Sequence, residues 1–336
     1  MANMKPLTEA KRGQLFLIGA LAITLILVAL TGLLNTAIYT ENLASRGTNV
    51  GGSNDMLIER DVTDFVDLNM QHINRQPGLS SGAKRSAIEE TTRSWADIQS
   101  VGYGKIGTIF RVEAPGSQQT LGFRAGQEDS TRDFTSESGD SDWLVSGNNN
   151  KVRQFEMVVD RSELASSGSG SEFTVHLLQT DGFQLTSANE SYQFRIGQSG
   201  SDVEVEVVDD SGATVGSCSA PEDSNGDVLI QLSEGLVGGS ECAALETAFL
   251  NTDPAGYPIY YENADNVEGT WEVYLQTSPY FPFATPFQPS GGYASSPSTG
   301  DVFAYQAIYA VDVTIKLSSD DGESIRTIRV APGEHQ

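Results

Sequence analysis

Residues 15–34 read LFLIGALAITLILVALTGLL, twenty positions without charge or proline and with only Thr24 and Thr31 as polar side chains. At about 1.5 Å per residue such a helix is about 30 Å long, the thickness of a bilayer's hydrocarbon core. Backbone groups in lipid must pair within their own segment, so the run is expected to form a transmembrane helix. Lys5, Lys11 and Arg12 precede it, which predicts a cytoplasmic N-terminus and an extracellular body. A cleaved secretory signal fits less well. The run exceeds the usual apolar length, and Asn35-Thr36-Ala37-Ile38-Tyr39 after it supplies no A-x-A site.

The body is strongly acidic. Lys5, Lys11 and Arg12 against Glu9 make +2 ahead of the run, which leaves −27 beyond it for a chain of net charge −25. Such a surface repels nucleic acid at ordinary salt, so no nucleic-acid partner is expected. Two readings account for the charge. Carboxylates could cluster on a cation such as Ca²⁺, or the surface could be made for high salt, where screening within about 3 Å removes self-repulsion. The acids are spread rather than blocked and lysine is scarce, which favours the halophilic reading.

Four regions follow from pattern: a cytoplasmic segment 1–14, the apolar helix and its extension 15–46, a helical region 47–104 and a β-rich extracellular domain 105–336. Gly47, Gly51 and Gly52 end the first helix. Ser53 or Asn54 caps a second, with Ile58, Val62, Phe65, Val66 and Ile73 at helical spacing and Pro77-Gly78 as its stop. A third is expected over 82–99, with Ala87 or Ile88, Thr91, Trp95 and Ile98 as its stripe and Ser86-x-x-Glu89 as a capping box. Strands are expected at 106–113, 120–124, 152–160, 172–179, 191–196, 203–208, 227–232, 270–277, 302–317 and 323–330, with loops at 137–150 and 166–171. Asp181-Gly182, Asp209-Asp210-Ser211-Gly212 and Asp320-Asp321-Gly322 read as hairpin turns. The fold class is therefore α+β: an N-terminal transmembrane helix, two further helices, then a mainly antiparallel β domain, sandwich-like or of paired sheets.

Cys218 and Cys242 are the only cysteines, and outside a membrane an even pair reads as a disulfide, against two separate buried thiols. It would tie the loop after Val215 to a short helix over 242–250 that points Leu245 and Phe249 inward. His72, His176 and His335 are far apart, and no P-loop or nucleophile elbow occurs, so the sequence nominates no catalytic trio, zinc site or cofactor. Asp223-Ser224-Asn225-Gly226-Asp227 with Glu234 offers oxygen ligands at alternate positions, but glycine stands fourth rather than sixth, and a turn is the expectation. Asn189-Glu190-Ser191 is a candidate glycosylation sequon. Residues 280–293, YFPFATPFQPSGGY, hold too many prolines for a regular element and should pack aromatics on the sheet or form a contact patch for a partner.

Lys11-Arg12-Gly13-Gln14 directly before the apolar run resembles the class III signal of archaeal type IV pilins. The resemblance implies that a prepilin peptidase cuts between Gly13 and Gln14 and that the helix is retained. In one respect the chain departs from bacterial-type pilins: their fifth mature position is Glu, and here it is Ile18, which favours an anchor or accessory subunit over a major filament subunit. The flank around residues 12–47, VTDFVDLNMQHIN, the cysteine pair and the tail RVAPGE resemble a haloarchaeal family of membrane-anchored proteins of unknown function, associated with type IV pilus-like gene clusters. The expectation is a membrane-anchored, pilin-like structural or assembly protein with the membrane, other pilin-like subunits and prepilin peptidase as partners. The alternative is a cell-surface module that binds a ligand, glycan or Ca²⁺.

Overall fold

The computed structural model describes residues 53–105, 107–178, 190–250, 257–277, 292–294, 300–319 and 322–331. The apolar run 15–34, the Gly13-Gln14 pair, Asn189 and His335 lie outside these, as do Asp181-Gly182, Asp320-Asp321 and most of 280–293. Among the described residues, no helix is long and apolar enough to cross a membrane.

The architecture is α+β and mainly antiparallel. Among the described residues three helices, α1 (Ser53–Asn74), α2 (Ser81–Gly104) and α3 (Ala243–Leu250), accompany fourteen strands. In chain order these are β1 (Ile109–Glu113), β2 (Gln119–Gln127), β3 (Trp143–Asp160), β4 (Phe173–Leu178), β5 (Glu190–Ser199), β6 (Asp202–Asp209), β7 (Thr214–Pro221), β8 (Asp227–Gln231), β9 (Leu236–Val237), β10 (Ser240–Glu241), β11 (Tyr257–Glu262), β12 (Gly269–Thr277), β13 (Phe303–Ser319) and β14 (Gly322–Val330). Where a sandwich or paired sheets is the sequence expectation, hydrogen bonds join all strands into one network. Its main path runs β1-β13-β2-β12-β3-β11-β4-β5-β6-β7, with β14 on β13 and β8 branching from β3. The branch is possible because β3 is 18 residues long. Its first half pairs with β11 and its last residues with β8, while β12 lies along its other edge.

The chain divides into two compact units. The smaller contains, of the described residues, 53–62, 96–105, 107–111, 316–319 and 322–324. In it Tyr103 packs on Phe110, and Met56, Ile98, Val101 and Ile109 are exposed. The larger unit holds Thr63–Trp95, Val112–Ile315 and the chain from Ile325. Its core is formed by one face of the sheet, where Phe134, Phe173, Tyr261, Trp143 and Trp271 meet edge to face or tilted. Such contacts suit the ring quadrupoles and exclude water from a large apolar area.

Several expectations need correction. The buried stripe of α2 is Lys84, Ile88, Thr92 and Ala96, one residue away from Thr91, and Ile98 is exposed. A lysine at the head of the stripe hides it from a polarity pattern. Ser86 and Glu89 lie inside the helix, so they form no capping box. Ser80 supplies the N-terminal bond instead, its hydroxyl accepting from the Ala83 N–H at 3.3 Å. Residues 143–150 are strand rather than loop. Four strands escape the pattern altogether: β7, β11 and the two-residue β9 and β10. β11 contains Pro258, which lacks an N–H, and a register shift against β3 at Tyr257/Ile259 accommodates it. β7 is an edge strand of mostly small residues with little buried alternation. Cys218 therefore sits on a strand, not in a loop, and is disulfide-bonded to Cys242 just ahead of α3. As expected, Leu245 and Phe249 are buried, Phe249 stacking on Phe194.

The segment 223–227 is the turn between β7 and β8. Asp223 accepts from the N–H groups of Asn225 and Asp227 at 2.7 and 3.1 Å, and these bonds hold its carboxyl below the usual range. Asp209 ends β6 in the same way, bonding to the Ser211 and Ala213 N–H groups.

Candidate functional site

A bulge in β3 builds the site. Glu272 on β12 stands opposite Glu156 on β3, but Tyr274, two residues on, stands opposite Arg153, three residues back. The extra residue is accommodated at Gln154, which adopts φ 47, a left-handed conformation unusual for a non-glycine. Ser233 accepts the Phe155 N–H at 2.8 Å and the Phe155 carbonyl takes the Leu232 N–H, so the bulge leaves these groups paired. With strict alternation Arg153 and Glu156 would lie on opposite faces. The bulge puts both on the face away from the aromatic core, beside Tyr274 and Glu272.

Two glycines permit the close approach of strands at this place. A Cβ on Gly269 would lie 1.9 Å from the Val158 carbonyl oxygen, and one on Gly126 would lie 2.5 Å from that of Trp271. Gln127 fixes the same corner by donating to the Gly269 and Arg132 carbonyls at 3.0 and 2.8 Å.

The face carries a buried polar layer. Arg153 lies over the rings of Tyr274 and Tyr309 at 4.4 and 5.3 Å, a cation–π arrangement. Asn74, the last residue of α1, donates to the Ile308 carbonyl at 2.9 Å and accepts from the Ile308 N–H at 2.8 Å, as a neighbouring strand would. Lys84 from α2 donates to the Asn74 carbonyl at 3.1 Å and the Gln306 carbonyl at 2.8 Å. It thereby satisfies a helix-end carbonyl that has no partner within its own helix. Burial, helped by the charge of Arg124, pulls its amine down to about 8. A neutral amine still has two N–H donors, matching the two carbonyls it serves.

Next to this layer a groove of about 490 Å³ opens, lined by Arg75, Arg124, Glu128, Glu156 and Glu272 with Leu229 on its apolar side. Arg124 is the fixed cation. Its side chain is 4% exposed, it donates to Glu272 at 2.6 Å and Glu128 at 2.8 Å, and it lies over the Phe303 ring at 4.7 Å. Burial alone would lower its pKa. The bonds and charges of Glu272 and Glu128 more than reverse that and leave it raised. Its Nε is buried with no hydrogen-bond partner. Arg75, with a side chain 56% exposed, stands 4.0 Å from Glu272. Glu156 is half-buried, and burial first, then Glu272 and Glu234, push its carboxyl up.

The residues singled out in the sequence are not brought together here. His72 is exposed and contacts Gln76, while His176 lies 2.9 Å from Glu262. Among the described residues no group of three or more His, Cys, Asp or Glu is placed to hold a metal. The groove went unseen because its residues come from five separate segments and read individually as surface charges; no spacing rule joins them. Comparisons with family models, curated proteins and solved structures return no match.

Proposed function

We propose that the chain is a membrane-anchored extracellular protein, a pilin-like subunit or accessory of a type IV pilus-like system in a halophilic archaeon. Residues 15–34 serve as its retained helix and Gly13-Gln14 as its processing point. The observation that carries the reading is the Cys218–Cys242 disulfide in the body of the chain. Structural disulfides persist in oxidising compartments and are rare in the cytosol, so the bond supports export of everything beyond the apolar run. The acidic body suits a high-salt exterior, and a prepilin peptidase and other pilin-like subunits are the partners the reading requires. Protease shaving of intact cells tests it. Peptides from the body should be released while the segment 15–34 stays with the cells; release of the body only after lysis would refute an extracellular body.

A second reading, a cell-surface binding module, is favoured by a different observation. The groove brings two guanidiniums and three carboxylates onto one concave surface, with the half-buried Glu156 directly opposite Glu272. That opposition is costly to a fold that gains nothing from it, since like charges directly opposed on a sheet destabilise.

A further inference from the structure

We propose that the smaller unit is seated on the surface of the bilayer that holds residues 15–34, with Ile98, Val101 and Ile109 turned into the lipid interface. The proposal rests on the anchoring reading of that run.

Eight large apolar side chains are exposed among the described residues, and four of them, Met56, Ile98, Val101 and Ile109, belong to the smaller unit. That unit has only the ends of α1 and α2, the start of β1, the end of β13 and the start of β14. The four are 60–72% exposed, a concentration unlike the scattered single residues of an ordinary surface. Ile98 and Val101 lie one turn apart on α2, and exposed Lys105 continues their face. The Thr108 and Gly107 N–H groups bond to the Tyr103 and Gly104 carbonyls at 3.1 and 3.2 Å, so the chain turns directly from α2 into β1. There Ile109 and Arg111 share the exposed side, while Phe110 turns inward onto Tyr103. Met56 has Asp55, Glu59 and Asp61 as sequence neighbours and marks the margin of the seat. Two observations select lipid as what covers this corner. The 18 residues 35–52 between the apolar run and Ser53 reach at most about 60 Å, so this unit is tethered close to the bilayer, whereas a second copy has to diffuse to it. The second is charge: between Asp97 and Glu113 no carboxylate occurs, only Lys105 and Arg111, in a chain with 45 acidic residues. Basic side chains beside apolar ones lay their stems along lipid and keep their charges among the headgroups. A Cβ on Gly102, Gly104 or Gly107 would meet nothing within 4 Å, and lipid follows such an uneven surface without the shape match a protein partner needs.

Nitroxide labelling of the full chain in phosphatidylglycerol–phosphatidylcholine vesicles at high KCl tests the proposal. Cys218 and Cys242 are disulfide-bonded and stay unlabelled. Labels go on Val101→Cys, Ile109→Cys and, as the aqueous reference, Ser211→Cys in the exposed turn beside Asp209 and Asp210. Collisions with oxygen, which concentrates in lipid, are compared with those of an aqueous nickel chelate. Labels at 101 and 109 should lose most of the nickel collisions seen at 211 and gain oxygen collisions. Ile98→Asp should shift the seated population at least ten-fold towards water, about the worth of one buried apolar side chain, and restore nickel collisions at 109. All these positions are exposed, and retained circular dichroism confirms the fold of each variant. Equal nickel collisions at 101, 109 and 211 in a chain that floats with the vesicles would overturn the seat and leave the anchor standing. Collisions at 109 unchanged by Ile98→Asp would overturn it too. Shielding from both reagents, with dipolar broadening between labels, would place a second copy on the face and equally overturn it. A chain that does not float with the vesicles would overturn the anchoring reading and the seat together.

Discussion

On one face of β12, Trp271, Val273 and Leu275 enter an apolar core with Trp143 and Tyr261; on the other, Glu272 and Tyr274 meet Arg124 and Arg153. Both faces are buried, but by different physics. The core face is stabilised by area removed from water and by ring packing, which is non-directional and tolerant of position. The opposite face depends on pairing, because each of Asn74, Lys84, Arg124 and Arg153 is tolerable out of water only with its partners in place. The first kind of burial makes a fold. The second fixes where α1 and α2 end on the sheet of the larger unit and leaves, at its margin, groups whose pairing is incomplete.

Mutations distinguish the two faces. The largest effect is expected on the core side: Phe173→Ala, which removes a ring in contact with Phe134 and Tyr261, should cost about 3–5 kcal/mol in denaturant unfolding. A value below 1 kcal/mol would mean the core is not packed as described. The Cys218→Ser/Cys242→Ser pair removes the link between the edge strand β7 and α3 and should cost about 3 kcal/mol in the chain-entropy account. Equal stability with and without reductant in the wild type would contradict it.

Across the sheet, Asn74→Ala orphans the buried Ile308 N–H and should cost about 2–3 kcal/mol despite removing few atoms. Asn74→Leu should not rescue it, whereas filling volume would rescue a core site. Lys84 adds a pH signature. Its folded amine, at about 8, lies below the ordinary value, so between those limits the unfolded chain binds the extra proton. Stability should therefore rise as pH climbs from 8 to about 10, and Lys84→Met should remove that rise. A parallel pH profile in the two proteins would break the assignment.

The smallest effect has the opposite sign. The Glu156 carboxyl is raised, so the fold is relatively favoured while it is protonated and loses that advantage as pH passes the raised value. Glu156→Gln should stabilise by up to ~1 kcal/mol at pH 7 and by nothing below about pH 4. Destabilisation at neutral pH would show that Glu156 has a structural partner and is not held for a ligand.

Legibility in the sequence follows the same division. Ten strands and all three described helices were visible from alternation and helical spacing, because core-face burial writes itself as apolar periodicity. The long β13 was legible as a strand, while its two faces exchange at a register shift that falls at Ile308/Ala310 against β2. The opposite face was illegible. Lys84, Arg124 and Arg153 are the residue types that mark a surface, and only pairing across distant segments makes them interior. The bulge at Gln154 is a one-residue change of phase that no local composition announces. The disulfide was legible from cysteine count alone, although its first half lies on a strand with no apolar pattern.

The central claim concerns the apolar run 15–34, proposed as a retained helix. Intact-mass and terminal-peptide analysis of the membrane and sheared-surface fractions tests it most directly. The account predicts a mature chain beginning at Gln14 with residues 15–34 still attached, and loss of that species when prepilin peptidase is removed. A mature chain beginning at Met1 or Ala2, or beginning beyond residue 34, would contradict it.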